Sequence, residues 1–221
     1  MEEKPEPAKP EQILQILTTE HFALQTARSA TIADANGRAS IFIGAVSSGT
    51  VALAFIGQVS GVGAPFYLFA LVLFPSLLFL GIVTFLRALQ TAMEDTIHAR
   101  GINRIRHYYT EIAPEIRDYF VHSIHDDMRG VMRDMATKSS AWQPLVTTAG
   151  TILVANSILA SVWIALMTQF LLEPKPWLTA LFGSFLFVVA LLVQNYYQTR
   201  RWEDFEIHQT VKFPSPPDDS R

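Results

Sequence analysis

Four residues able to bind a metal or move a proton stand together at His122, His125, Asp126 and Asp127. On a helix, His122 and Asp126 share a face and His125 lies nearly on it, which offers two or three ligands. No further ligand motif accompanies them. A solvated polar face is the expected reading, and no metal or other cofactor is assigned. Arg100, Arg104 and His107 form a second polar group, again on one helical face. The chain has no cysteine, which excludes disulfides, thiol catalysis and thiolate metal sites. No catalytic residue is named, and the expected function is non-enzymatic.

The elements that must carry these residues follow from the charge pattern. Residues 39–86 contain no Asp, Glu, Lys or Arg, and between Lys138 and Arg200 the only ones are Glu173 and Lys175. A soluble helix places charge on its exposed face, so charge-free blocks of this length imply an apolar surrounding on every side. Each block divides at a turn signal: Ser60, Gly61, Gly63 and Pro65 in the first, and Glu173, Pro174 and Pro176 in the second. Four spans result, near residues 41–59, 66–86, 145–172 and 177–197. Each is about 20 residues or longer, enough at ~1.5 Å per residue for a hydrocarbon core of ~30 Å. The expected fold is an all-α integral membrane protein with four transmembrane helices, a cytoplasmic N-terminal helix and a cytoplasmic helical hairpin between spans two and three.

Orientation follows from the basic residues near the span ends, which are held on the cytoplasmic side during insertion. The linkers after spans one and three carry a single base, Lys175, whereas the N-terminal, central and C-terminal segments carry the rest. Both termini are therefore expected in the cytoplasm, with the chain multi-pass in the plasma membrane. Trp177 on one side and Tyr196, Tyr197 and Trp202 on the other suit interfacial aromatic belts. A net charge of −3 gives no argument for nucleic acid.

Within the spans, Ala45 and Gly49 stand in small-xxx-small register among other small residues of span one, which is expected to be interior to the bundle. Span two, rich in Leu and Phe and holding Pro75, is expected to face lipid and to kink. In span three, Gly150, Ser157 and Ser161 share a stripe with Asn156 beside it. These residues read as helix-packing groups, Asn156 through a hydrogen bond to another helix, with pore lining as the sharper alternative. No ionisable residue lies inside a span, which argues against an ion-coupled transporter. At the mouth of span one, Asp34 and Arg38 are spaced for an i, i+4 pair, with anchoring by Arg38 as its main role.

Outside the spans, residues 1–10 read as a disordered leader and 11–37 as a cytoplasmic helix with Ile13, Ile16, Leu17, Leu24 and Ala27 at helical spacing. Gly37 either loosens its junction with span one or lies within a continuous helix. The first transmembrane hairpin takes residues 38–86, the cytoplasmic hairpin 87–144 and the second transmembrane hairpin 145–199. Pro114 marks the start of the cytoplasmic hairpin's second arm, expected to run to about Lys138. Ile105, Tyr109, Ile112, Ile116 and Phe120 belong to a narrow apolar seam along both arms that requires a partner helix. Residues 200–221, with three prolines and terminal aspartates, read as a disordered cytoplasmic tail.

The stretch TEHFALQTARSATIADANGRAS at 19–40, with RGINRIRHYY at 100–109, resembles an uncharacterised family of bacterial four-span membrane proteins. Asp34, Arg38 and Ala39, on a helix entering span one, are similar to the entry pattern of transmembrane effectors of Pycsar antiphage systems, with wider spacing and Arg in place of Lys. That resemblance implies a membrane-impairing effector switched on by a cytoplasmic signal. Arg100 with His107 resembles the arginine–histidine pattern of HEPN ribonucleases, but bases beside a membrane are demanded by topology alone. The expected function is an oligomeric membrane effector or pore-like protein responding to a cytoplasmic signal. Its partners would be the lipid bilayer, further copies of itself, and a cytoplasmic protein or small-molecule signal. The alternative is a non-conducting sensor or scaffold that holds a partner protein through its cytoplasmic helices.

Overall fold

The computed structural model describes residues 9–136 and 142–217. In chain order it contains α1 (Pro10–Ser60), α2 (Ala64–Ile112), a 3-10 helix (Pro114–Tyr119), α3 (Met128–Asp134), α4 (Gln143–Val146), α5 (Thr148–Leu172) and α6 (Pro176–Ile207), with no strand among the described residues. α1, α2, α5 and α6 are each long and apolar enough to cross a membrane. Their inner ends fall at the sequence breaks. Gly61, at φ +66°, turns the chain between α1 and α2, a backbone shape that a Cβ disfavours. Glu173 takes the left-handed position after α5, its amide donating to the Gln169 carbonyl, and Pro176 opens α6 where its missing N–H costs nothing.

Two compact units are present, and α1 and α2 contribute residues to both. The first contains residues 33–92 and 142–208. Its core gathers Phe42 and Leu53 of α1, Phe74, Leu77 and Phe85 of α2, and Ile152, Leu153 and Leu159 of α5. The expected roles of spans one and two are exchanged here. Only 11% of the most apolar stretch of α1 is buried, against 33% for α2. The reason is volume: Phe and Leu of α2 fill the interior, while the small residues of α1 allow close approach and fill little space. α2 also continues as helix through Pro75. In the most apolar stretch of α6 no residue is buried.

The second unit contains residues 9–32, 93–136 and 209–217. Leu24 of α1 packs where Gly101 of α2 leaves room, and the Arg28 guanidinium donates to Asp95 at 2.9 and 3.4 Å. Gly37 lies inside the continuous helix α1 rather than at a break.

Two expectations for this unit are overturned. The arm beginning at Pro114 is not one helix: a single 3-10 helix gives way to irregular chain at 120–127, then to the short α3. Side chains satisfy the backbone there in place of a helical ladder, with the Ser123 amide donating to Asp134 and the Asp127 carboxylate capping α3 at the Gly130 amide. The seam divides accordingly. Ile105 is buried, whereas Tyr109, Ile116 and Phe120 are partly covered and Ile112 is exposed. The tail is ordered as well: α6 extends to Ile207, and residues 209–217 lie against the 120–134 segment. Residues 218–221 and the leader at 1–8 lie outside the described residues.

Candidate functional site

The densest polar site of the second unit is built on Asp126. Its side chain is fully buried, so its charge is tolerable only with donors on every side. The Lys212 amide donates to it at 3.0 and 3.1 Å and the Phe213 amide at 2.7 Å, while Arg104 Nε donates at 2.6 Å. The Asp126 amide in turn donates to the Phe213 carbonyl at 3.1 Å. Burial pushes the carboxyl pKa up, but the two tail amides and Arg104 outweigh it and hold the group below the usual carboxylate range. Asp127 behaves alike: burial raises it, and Ser215, which donates from hydroxyl and amide at 2.7 and 3.0 Å, together with the Gly130 amide, brings it lower.

Arg104 also donates to the Thr210 carbonyl, and Arg129 to that of Pro216 at 2.9 Å. The His107 ring stacks on Phe213 with centroids 3.8 Å apart and planes 17° from parallel, its Nδ1 donating to the Ile124 carbonyl. Of the polar face anticipated at His122, His125, Asp126 and Asp127, His122 is exposed as expected, whereas Asp126 is fully buried and His125 and Asp127 are partly covered. Its members diverge: both carboxylates turn to the tail, His122 lies 3.7 Å from Asp134, and the His125 backbone bonds Ser123 and Asn103. Among the described residues, no three His, Asp or Glu side chains converge as metal ligands. Arg104 and His107 are both engaged with the tail.

In the first unit, the polar groups of the apolar helices meet between α5 and α6. Gln194 Nε2 donates to the Ser157 hydroxyl at 2.9 Å, and Asn156 Nδ2 approaches Gln194 Oε1 at 3.5 Å. Ser157 and Ser161 each donate to a carbonyl of their own helix, those of Leu153 and Ile158. Asn156 is 0% exposed, and its Oδ1 faces Gly81 of α2 without a hydrogen-bond partner. Gly150 lies where a Cβ would meet the Pro144 carbonyl and Leu145, so it packs α4 against α5. Ala45 is partly buried against the core, and Gly49 is covered by Leu73 and Leu77 of α2. Gln194 and Gly81 escaped the sequence reading. A glutamine within a charge-free span was the available signal for the first, since a mid-membrane amide seeks a partner.

At the α1 site, Arg38 Nε donates to both Asp34 oxygens at 2.9 and 3.0 Å, and Arg87 lies 3.9 Å from the same carboxylate. The Arg38 hydrogen bond, followed by the two positive charges, lowers the Asp34 pKa.

Four long apolar helices define the class of protein as one built to the dimensions of a bilayer. No protein-family model matches the chain, and no curated protein or solved structure shows detectable similarity to it.

Proposed function

We propose that the chain is a multi-pass protein of the plasma membrane, with both termini and the 87–144 segment in the cytoplasm, acting as an oligomeric membrane-impairing effector under a cytoplasmic signal. The observation that carries this reading is an open face on α1. Gly44, Ser48, Val51, Phe55 and Val59 recur at helical spacing, all exposed, and a Cβ at Gly44 would meet nothing within 4 Å. In lipid, where apolar burial gives no drive, small residues on an uncovered face favour the close approach of another helix. A second copy of α1 is the occupant this reading supplies.

Purified chain in mild detergent, followed by reconstitution into dye-loaded vesicles, tests it. An oligomeric mass and dye release are expected for the wild type. Both should fall for Gly44→Leu, while its helix content stays unchanged. A monomer that leaves vesicles sealed at high protein-to-lipid ratio would refute the reading.

A non-conducting sensor or scaffold is the second reading. Favouring it is the closure of Asn156, Ser157 and Gln194 upon one another, which offers no polar lining within a single chain. Sealed vesicles together with an intact oligomer would select it.

A further inference from the structure

Most hydrogen bonds that hold the described part of the tail use its main chain. Asp126 receives the Lys212 and Phe213 amides, the Asp126 amide meets the Phe213 carbonyl, Arg104 takes the Thr210 carbonyl and Arg129 that of Pro216. Among the described residues, two tail side chains add a ring contact and a hydrogen bond to this grip: the Phe213 ring on His107 and the Ser215 hydroxyl on Asp127. A segment bent at Lys212 and Phe213 and caught by its backbone groups, with specificity from an aromatic ring and a hydroxyl two residues later, follows the logic of peptide recognition. Without the tail, the Asp126 carboxylate would keep Arg104 and exchange its three contacts from backbone amides for water, so another segment that restores those contacts competes with the tail for the same groove.

We infer that the groove formed by Arg104, His107, Asp126 and Asp127 is a peptide-binding site, and that residues 209–217 are its resident, exchangeable ligand. The kind of partner it fits is a peptide that bends at an aromatic residue standing two positions before a serine or threonine. Contacts within one unit support this, so it stands apart from any membrane-impairing activity.

The test uses the full chain in detergent and a fluorescent peptide of residues 209–217. A chain with Phe213→Ala and Ser215→Ala keeps the groove but weakens its own tail, and should bind the peptide at least about tenfold more tightly than the wild-type chain does. The same peptide with its phenylalanine replaced by alanine should bind at least about tenfold more weakly. Equal binding of the two peptides, or of the two chains, would overturn the inference. Hydrogen exchange on the unmutated chain gives a second answer if the variant misfolds. The Lys212 and Phe213 amides should be protected, and excess unlabelled peptide bearing ²H at its own amides should occupy the groove and speed their exchange. Protection indifferent to peptide would equally overturn it.

Discussion

Gly81 of α2 stands so close to Asn156 of α5 that a Cβ at position 81 would overlap the amide oxygen and press to 2.8 Å from the Phe42 ring. One glycine thus sets the approach of three helices. Gly81→Ala should destabilise the protein in detergent by about 1–3 kcal/mol, the usual cost of forcing extra volume into a packed interior. Gly37→Ala, placed in open space outside the apolar stretch, should not lower the melting temperature. Equal melting of the two variants would show that α5 yields at Asn156.

The Gln194 amide donates to the Ser157 hydroxyl at 2.9 Å between the apolar helices α6 and α5. A double-mutant cycle on Gln194→Leu and Ser157→Ala should return a coupling of about 0.6 kcal/mol, the average for such contacts in membranes. The same cycle between Gln194 and the exposed Thr50 should return none.

Because the chain lacks cysteine, single introduced cysteines report accessibility without background. Val62→Cys, in the turn after α1, should react with an impermeant thiol reagent added to intact cells. Val121→Cys, 95% exposed, should react only after permeabilisation if the central segment is cytoplasmic. The opposite pattern would invert the topology.

Protonation of Asp126 should release the tail. Its folded-state pKa lies below that of a free aspartate, so the stabilisation is complete above the unfolded value of about 3.9 and is lost as pH falls through the lower folded value. Amide protection at Lys212 and Phe213 should accordingly be flat from about pH 7 to 5 and collapse only below about pH 4. Release near pH 6 would assign the contact to an imidazole instead. Asp126→Asn should loosen the tail at every pH.

The membrane-scale helices were legible because charge must be excluded over ~30 Å of hydrocarbon, a constraint written in every residue of a span. The breaks at Gly61 and Glu173 were legible for a local reason, the special backbone that follows a helix end. What the Pro114 arm and the tail do was not. Their structure depends on carboxylates meeting amides 86 to 88 positions away, and a main-chain amide leaves no mark in residue identity. Ser215 and Phe213 sit in a proline-rich stretch whose composition alone indicates disorder. The seam at Ile105 and Ile116 misled in a related way, since a step of three or four residues is meaningful only while the chain stays helical. Burial then reversed the reading of Asp126, because a charged residue is a surface residue only until its donors are counted.

The tail's attachment to α6 has a quantitative consequence. A segment tethered directly to its host chain faces its own groove at an effective concentration on the order of millimolar. A free peptide making the same contacts would need about that concentration to occupy half the grooves, and one acting at micromolar levels would have to bind roughly a thousandfold more tightly. The groove is thus insensitive to casual encounters with unfolded chains and responds only to a ligand that improves on Phe213 and Ser215 or arrives already concentrated beside it.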